Sequence, residues 1–172
     1  GGTLDGAEIV LLAVPSHAMR EVCQSASAYL PKDALLISVA KGIEQDTDLC
    51  MSQVIFEVTG RPEIAVMSGP TFASEVARGV PTALVCAAAR EEWAQKAQEA
   101  FHGEDFRVYT SRDVRGVELG GALKNVMAIA AGACAGLGLG ENTLAALITR
   151  GLAELARVGA ALGGEAQTFF GL

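Results

Sequence analysis

A change of period at residue 113 constrains this chain more than any other feature. Before it, short runs of β-branched and aliphatic residues recur: AEIVLLAV over 7–14, ALLISV over 34–39, IAVM over 64–67, TALVCA over 82–87 and FRVY over 106–109. Unbroken apolar runs of this length are the pattern of strands buried on both faces of a parallel sheet. Pro15, which cannot donate to a ladder, stops the first of them. Helical spacing fills the gaps. Met19, Val22, Cys23, Ala26 and Leu30 fall on one face before Pro31, with Ser16 placed to cap them. Thr47 opens a helix through Val58, a short helix lies over 72–77, and a polar-faced one covers 91–101. This alternation predicts a mostly parallel sheet with right-handed crossovers.

From Asp113 on, the chain reads as helix. VRGVELGGALKNVMAIAAGACA over 114–135 is apolar nearly all round, which predicts a buried central helix. The GLGLG turn over 136–140 ends it, Asn142 or Thr143 can cap a second helix running to Leu162, and Gly163-Gly164 supplies the stop. The expected organisation is half of a doubly wound α/β domain over 1–111 and an all-helical domain over 112–172. The formal charge of -7 leaves no basic face for nucleic acid or an anionic membrane. Cys23, Cys50, Cys86 and Cys134 stand apart in apolar or helical runs, with no C-x-x-C pair, and read as buried thiols of a reducing cytoplasm. The longest apolar stretch, over 126–139, is shorter than the roughly 18 residues that span a bilayer, so no membrane helix is expected. Nor does the opening GGTLD carry the basic region of a secretory signal.

Ligands of open parallel sheets bind beyond the carboxyl ends of the strands. Three such ends stand out: Val14-Pro15-Ser16, Lys41-Gly42-Ile43-Glu44 and Ser68-Gly69-Pro70-Thr71. Glycine there admits a close backbone approach, and N–H groups opening the next helix can meet an anion; ordinary turn chemistry is the alternative. Lys41, a single cation directly after a buried strand, either reaches a phosphate or nicotinamide ribose or snorkels on the rim. Lys124 puts an ammonium into an apolar helix. Burial disfavours its charged form, which makes it a candidate proton donor and acceptor near neutral pH; pairing with a buried carboxylate is the alternative. Asn125 beside it can orient a substrate hydroxyl or carbonyl. Gly120 and Gly121 weaken the helix and are best explained by another backbone or a ligand lying close. Arg150 and Glu154, four apart, predict a structural ion pair. His17 and His102 have no metal-ligand arrangement and read as surface or rim side chains, Glu91-Glu92 and Glu104-Asp105 as solvated faces, and no nucleophile–base triad is visible.

Five phrases, in this order and spacing, resemble the NAD(P)-dependent glycerol-3-phosphate dehydrogenase family of bacterial type. They are AVPS over 13–16, KGIE over 41–44, SGPTFASEVARGVPTA over 68–83, VELGGALKNVMAIAAG over 117–132 and GLGLGENTLAALITRGLAEL over 136–155. The resemblance covers essentially the whole chain. It implies a Rossmann-like NAD(P)-binding half domain followed by the start of an all-α domain of the 6-phosphogluconate dehydrogenase type. The implied enzyme is cytoplasmic and interconverts dihydroxyacetone phosphate and sn-glycerol 3-phosphate with NAD or NADP, feeding glycerophospholipid synthesis. By the same resemblance Lys124 is the proton acceptor in glycerol-3-phosphate oxidation and the proton donor in reverse. Lys41 contacts cofactor and substrate, Gly69, Thr71 and Asn125 contact substrate, and Ala73, Pro15 and Ser16 contact the cofactor. The family's first strand, its G-x-G-x-x-G turn and the region selecting NADH or NADPH would precede Gly1. Its GDL phrase and Ser-Arg-Asn cluster would follow Leu172. The chain is therefore expected to be a fragment cut at both ends and inactive by itself. The family's usual GDN reads Gly140-Glu141-Asn142, a mild change in a helix cap.

Two other readings stand beside this one. A dehydrogenase of the same architecture, of the β-hydroxyacid dehydrogenase or ketopantoate reductase type, also uses a lysine, but KGIE and ELGGALKN favour glycerol 3-phosphate. A non-catalytic nucleotide-binding remnant would be expected to have lost Lys124 or Lys41, and both are present. Its exposed apolar end would let such a remnant associate with itself, so a homodimer is the assembly to test for.

Overall fold

The computed structural model describes residues 4–171; Gly1, Gly2, Thr3 and Leu172, on which the expectations for the two chain ends fall, lie outside the described residues. Each of the five apolar runs forms a strand, β1 (Ile9–Leu12), β2 (Leu35–Ser38), β3 (Ile64–Ser68), β4 (Thr82–Ala88) and β5 (Phe106–Ser111), in one sheet of that order. The β1–β2, β2–β3 and β4–β5 pairings are parallel and β3–β4 is antiparallel. A parallel neighbour needs a crossover element long enough to carry the chain back along the sheet. Between β3 and β4 lies only the one-turn α3 (Ala73–Val76), and the chain simply turns round.

Strand periodicity sorts the core onto two faces. Val10, Leu12, Leu36 and Ile64 meet α1 (Met19–Ala26) and α2 (Met51–Thr59) through Met19, Cys23, Met51, Val54 and Ile55. Leu35, Ile37, Ala65, Met67, Leu84 and Cys86 meet α4 (Glu91–Phe101) through Ala94 and Ala97 on the other. β2 and β3 are buried at every residue, as their unbroken runs predict. β1 departs from that expectation: Leu11 is 44% exposed, because it lines an open cavity rather than a packed core.

Several boundaries move for local reasons. Ser16 caps nothing; a 3-10 turn (Ser16–Ala18) leads into α1, which ends at Ala26 in a second such turn rather than running to Leu30. α2 starts at Met51, not Thr47. The Thr47 hydroxyl donates instead to Glu44 at 2.6 Å, in a turn where Asp46 and Asp48 adopt positive φ, and Gln53 Oε1 accepts from the backbone of Cys50 at the true helix start.

The second region holds α5 (Val114–Gly136), α6 (Gly140–Ala161) and a final turn, α7 (Thr168–Gly171), that the sequence pattern does not announce. Asp113 caps α5, one oxygen accepting from Gly116 N at 2.8 Å; the other accepts from Glu165 N at 2.8 Å and from the Thr168 hydroxyl at 2.6 Å, which ties α7 to the start of α5. Val114 and Val117 pack on Val66, Val85 and Ala87, so α5 shares a sheet face with α2. The expected burial of α5 holds only for its first third, from Gly116 to Gly121; Val126 is 64% and Ile129 73% exposed. Its apolar character starts well before residue 126, and at 23 residues it is, by length and composition alone, long and apolar enough to cross a membrane. α6 begins at Gly140 with Leu139 at the cap, leaving Asn142 and Thr143 inside its first turn. Arg150 and Glu154 are exposed and form none of the ion pairs among the described residues. Cys134 is half-buried rather than buried; Cys23, Cys50 and Cys86 are buried, and desolvation pushes Cys86 up to about 12 and Cys50 up to about 11, which keeps both as thiols.

Candidate active site

At the carboxyl end of β2 the chain leaves the sheet through Ala40 to Lys41, whose Nζ donates to the carbonyl oxygen of Gly69 at 2.8 Å. Gly69 follows β3 directly, and its lack of a side chain is a packing requirement: a Cβ there would lie 2.7 Å from Leu84 Cβ, 2.8 Å from Leu84 Cα and 2.9 Å from the Ala83 oxygen. The close approach anticipated for this glycine is thus made by β4. Gly121 does the same for α5, since a Cβ on it would fall 2.6 Å from Ser68 Oγ and 3.6 Å from Lys41 Cγ. Helix, strand end and lysine stem therefore meet at one point.

Lys124 lies one turn beyond Gly121 and is half-buried. Burial, and then the charge of Lys41, lower its pKa; burial also lowers that of Lys41. No carboxylate pairs with Lys124 among the described residues. The buried carboxylate on its own helix, Glu118, points elsewhere: Oε1 accepts from Ser52 N at 2.7 Å and Oε2 from the Ser52 hydroxyl at 2.6 Å. Burial raises the Glu118 pKa against the opposing pull of those Ser52 hydrogen bonds.

The remaining expected residues stand around this point at different removes. Ser16 packs against Gly42, where a Cβ would sit 2.5 Å from its hydroxyl, and Pro15 beside it is exposed. Thr71 Oγ1 lies 3.5 Å from the Gly69 oxygen, at the limit of a hydrogen bond. Thr71 and Ala73 line a largely apolar cavity of about 490 Å³ with Leu11, Val39, Met67 and Ser68. Asn125 is exposed. The loop behind Lys41 is held by Arg20, which forks onto both oxygens of Glu44 at 2.9 and 2.8 Å and also reaches Glu57 at 2.8 Å. That guanidinium holds the Glu44 carboxyl down at about 2.

Sequence reasoning missed Glu118 and the contact of Ser68, named only within a strand-end turn, with α5, which is tertiary. Glu118 left a usable signal, being the one carboxylate in the apolar run that also carries Lys124. Chemically, the cluster offers two ammonium groups, hydroxyls and an apolar wall, with no carboxylate paired to either lysine among the described residues. Such a set receives an oxyanion or carbonyl oxygen and can deliver a proton to it.

Known proteins resemble this chain in sequence and fold. Residues 2–94 match the family described as NAD-dependent glycerol-3-phosphate dehydrogenase N-terminus, and residues 113–172 match its C-terminus counterpart. A relative from Clostridium perfringens (strain SM101 / Type A), named glycerol-3-phosphate dehydrogenase (NAD(P)+), is 50% identical over 169 residues, covering 98% of this chain and 51% of the relative. One of the same name from Syntrophomonas wolfei is 52% identical over 172 residues, 98% and 50% respectively. The crystal structure of a glycerol-3-phosphate dehydrogenase from Coxiella burnetii superposes with a TM-score of 0.91 at 38% identity, over 99% of this chain and 52% of that one. The chain spans about half the length of the curated relatives it matches. With both stretches of its sequence matched, this chain belongs to the NAD-dependent glycerol-3-phosphate dehydrogenase family.

Proposed function

We propose that this chain contributes the catalytic centre of a cytoplasmic enzyme that interconverts dihydroxyacetone phosphate and sn-glycerol 3-phosphate with NAD or NADP. The observation that carries this is Lys124: a half-buried ammonium with no carboxylate partner among the described residues, facing a second lysine at the end of a parallel strand. Residues 1–111 would form part of the cofactor domain and 112–172 part of the catalytic one. The donor set suits a nicotinamide nucleotide and a phosphorylated ketone. Lys41 keeps two N–H groups free of its bond to Gly69 for anionic or hydroxyl oxygens, and the cavity beside Thr71 and Ala73 gives an apolar wall for a flat ring. Pro15 and Ser16 border the same edge, and Asn125 is available to the substrate hydroxyl.

When bound, the nicotinamide supplies or takes the hydride. The chain handles the proton. In reduction the Lys124 ammonium hands one proton to the carbonyl oxygen as the carbonyl carbon gains hydride, and is left as a neutral amine. In oxidation that amine takes the proton from the substrate hydroxyl. A lowered pKa serves both directions, because it makes the ammonium a better acid and populates the amine nearer neutral pH. Lys41 holds the developing charge without a carboxylate to quench it. The sequence contains no G-x-G-x-x-G turn, the usual pyrophosphate cradle, which supports the expectation that these 172 residues are inactive alone. A product of this kind would feed glycerophospholipid synthesis, and the exposed apolar residues Val126, Ile129, Leu137 and Leu139 support self-association as a homodimer.

The test is dihydroxyacetone-phosphate-dependent oxidation of NADH and NADPH by a full-length protein carrying this chain. Lys124→Ala is expected to lower kcat at least about 100-fold with nucleotide binding kept. An intact protein inactive on this ketone, with both nucleotides, overturns the assignment.

A further inference from the structure

The geometry points to Glu118 as the positioning residue that sets Lys124 against Lys41, by tying helix α5 to the first turn of α2. Glu118 is only 8% exposed, and both its oxygens are taken by one residue, Ser52, through the backbone N–H and the hydroxyl. The N–H groups in the first turn of a helix have no acceptor within that helix, so a carboxylate from another element completes α2 and is fixed by it. One turn earlier on α5, Arg115 donates to Gln53 Oε1 at 2.7 Å and to Cys50 Sγ at 3.1 Å. Residues 50, 52 and 53 are thus all held from α5.

The same short stretch also anchors Lys41. Between Lys41 and Cys50 the loop folds back on itself, with a bridge between Ile43 and Cys50 and with Glu44 N donating to Leu49 O at 2.8 Å. Arg20 pins Glu44 from outside. Both lysines are therefore referenced to the start of α2, Lys41 through the loop and Lys124 through Glu118. Six residues separate Glu118 from Lys124, about 9 Å of rise and roughly two-thirds of a turn beyond a full one. With Glu118 turned onto Ser52, Gly121 faces Ser68 and the Lys41 stem, and Lys124, one turn on, falls within the electrostatic reach of Lys41. Apolar packing of Val114 and Val117 would tolerate a small roll of α5, whereas the two bonds to Ser52 do not. Among the described residues the charged group acting on Lys124 is Lys41, from the loop after β2, and the one acting on Glu118 is Arg115, from α5 itself.

A catalytic consequence rests on the function proposed above, but the placement of Lys124 does not, and it can be read on a full-length protein carrying this chain. Trace acylation of amines across pH, resolved by peptide mass spectrometry, gives a midpoint for Lys124 with the exposed Lys32 as internal standard. Glu118→Ala lets α5 roll and should move the Lys124 midpoint up toward the ordinary 10.5, a loss of about threefold or more in its reactivity at a fixed pH below the midpoint. Glu118→Gln, which can accept from Ser52 N and donate to its hydroxyl, should restore the parent profile. A folded Glu118→Ala chain with an unmoved Lys124 midpoint overturns the proposal. Should that variant fail to fold, Ser52→Ala decides: it removes the hydroxyl half of the link, and an unmoved midpoint there overturns it equally. A shifted midpoint alongside an intact protein inactive on dihydroxyacetone phosphate would sink the enzymatic assignment and leave the positioning role standing.

Discussion

Alanine at Gly69 is the substitution in which fold and site are most directly coupled. Its Cβ would stand 2.7 Å from Leu84 Cβ, 2.8 Å from Leu84 Cα and 2.9 Å from the Ala83 oxygen. Carbon atoms rest at about 3.5–4.0 Å, so β4 would have to retreat by roughly 1 Å, and two of the three obstructing atoms are backbone that no rotamer change can clear. β4 is also paired over six residues with β5, from Thr82↔Phe106 to Ala87↔Ser111, which resists the retreat. Overpacking of this kind costs about 1–3 kcal/mol. Displacing the Gly69 carbonyl weakens the charge-assisted bond from Lys41, worth about 1.5–3 kcal/mol, while the loss of glycine's freedom in the unfolded chain returns about 0.5–1 kcal/mol. The net is roughly 2–4 kcal/mol, or a fall in Tm of roughly 5–15 °C for a chain of this size. Thermal unfolding followed by circular dichroism measures it. Gly60→Ala is the matched control, since nothing lies within 4 Å of its Cβ and the whole cost, about 1 kcal/mol, comes from its φ of +67°. A double-mutant cycle with Lys41→Met should show coupling above about 0.5 kcal/mol. A fall in Tm below about 2 °C, or independent effects of the two substitutions, would refute the picture of a rigid strand approach that aims a carbonyl at Lys41.

Three further outcomes follow from the same contacts. Gly159→Ala puts a methyl inside the ring of Phe169, the only buried residue of α7 and 2% exposed; a loss of about 1–2 kcal/mol, after crediting about 1 kcal/mol of helix propensity, should appear with faster amide exchange over 168–171. Glu44 has a folded pKa near 2 against an ordinary 4.5, so its contribution is complete above 4.5 and lost as pH falls toward 2; urea midpoints of the parent and Glu44→Gln should differ at pH 7 and converge across that window, and a gap constant from pH 5 to 3 would contradict the Arg20 clamp. Lys124 carries the opposite sign: its folded pKa is lowered, so the unfolded chain binds the proton more readily and the folded state bears the cost at neutral pH. Lys124→Met should therefore raise Tm at pH 7, by roughly 1–4 °C if it behaves as an ordinary stabilising change, with the gain shrinking as pH rises toward 10.5.

How much of this was legible in the sequence depends on whether the deciding contact is local. Unbroken apolar runs placed all five strands, because burial on two faces leaves no other pattern for β2 and β3. The same logic overstated β1, whose run is as apolar but whose Leu11 lines an open cavity. Local pairings were misplaced too: Thr47 turned to Glu44 instead of opening α2, and Arg150 and Glu154 stayed apart although their spacing permits a pair. α5 reads as a buried helix because sequence shows that a face is apolar and not whether anything covers it. Both lysines were visible as cations out of place. Their meeting was not, since it depends on a glycine at 121 fitting over Ser68 and on the rotation of a helix whose pattern is nearly featureless.

That rotation is the physical crux of the site. A half-buried ammonium beside a second cation loses hydration and is repelled, and both effects oppose folding. A chain of net charge -7 has carboxylates to spare, so pairing either lysine was open to it. Instead the nearby carboxylates are engaged elsewhere: Glu44 and Glu57 by Arg20, Glu118 by Ser52, Asp113 by the start of α5 and by α7. Glu44 is held in the loop that carries Lys41, and Glu118 and Asp113 on the helix that carries Lys124, so the contacts that fix these elements also occupy their carboxylates. The residues that make the site rigid are therefore the ones that keep it cationic, which is what an incoming phosphate and a developing alkoxide require. Releasing Glu44 or Glu118 should loosen the element that carries a lysine, so loss of function there should exceed what the accompanying loss of stability explains.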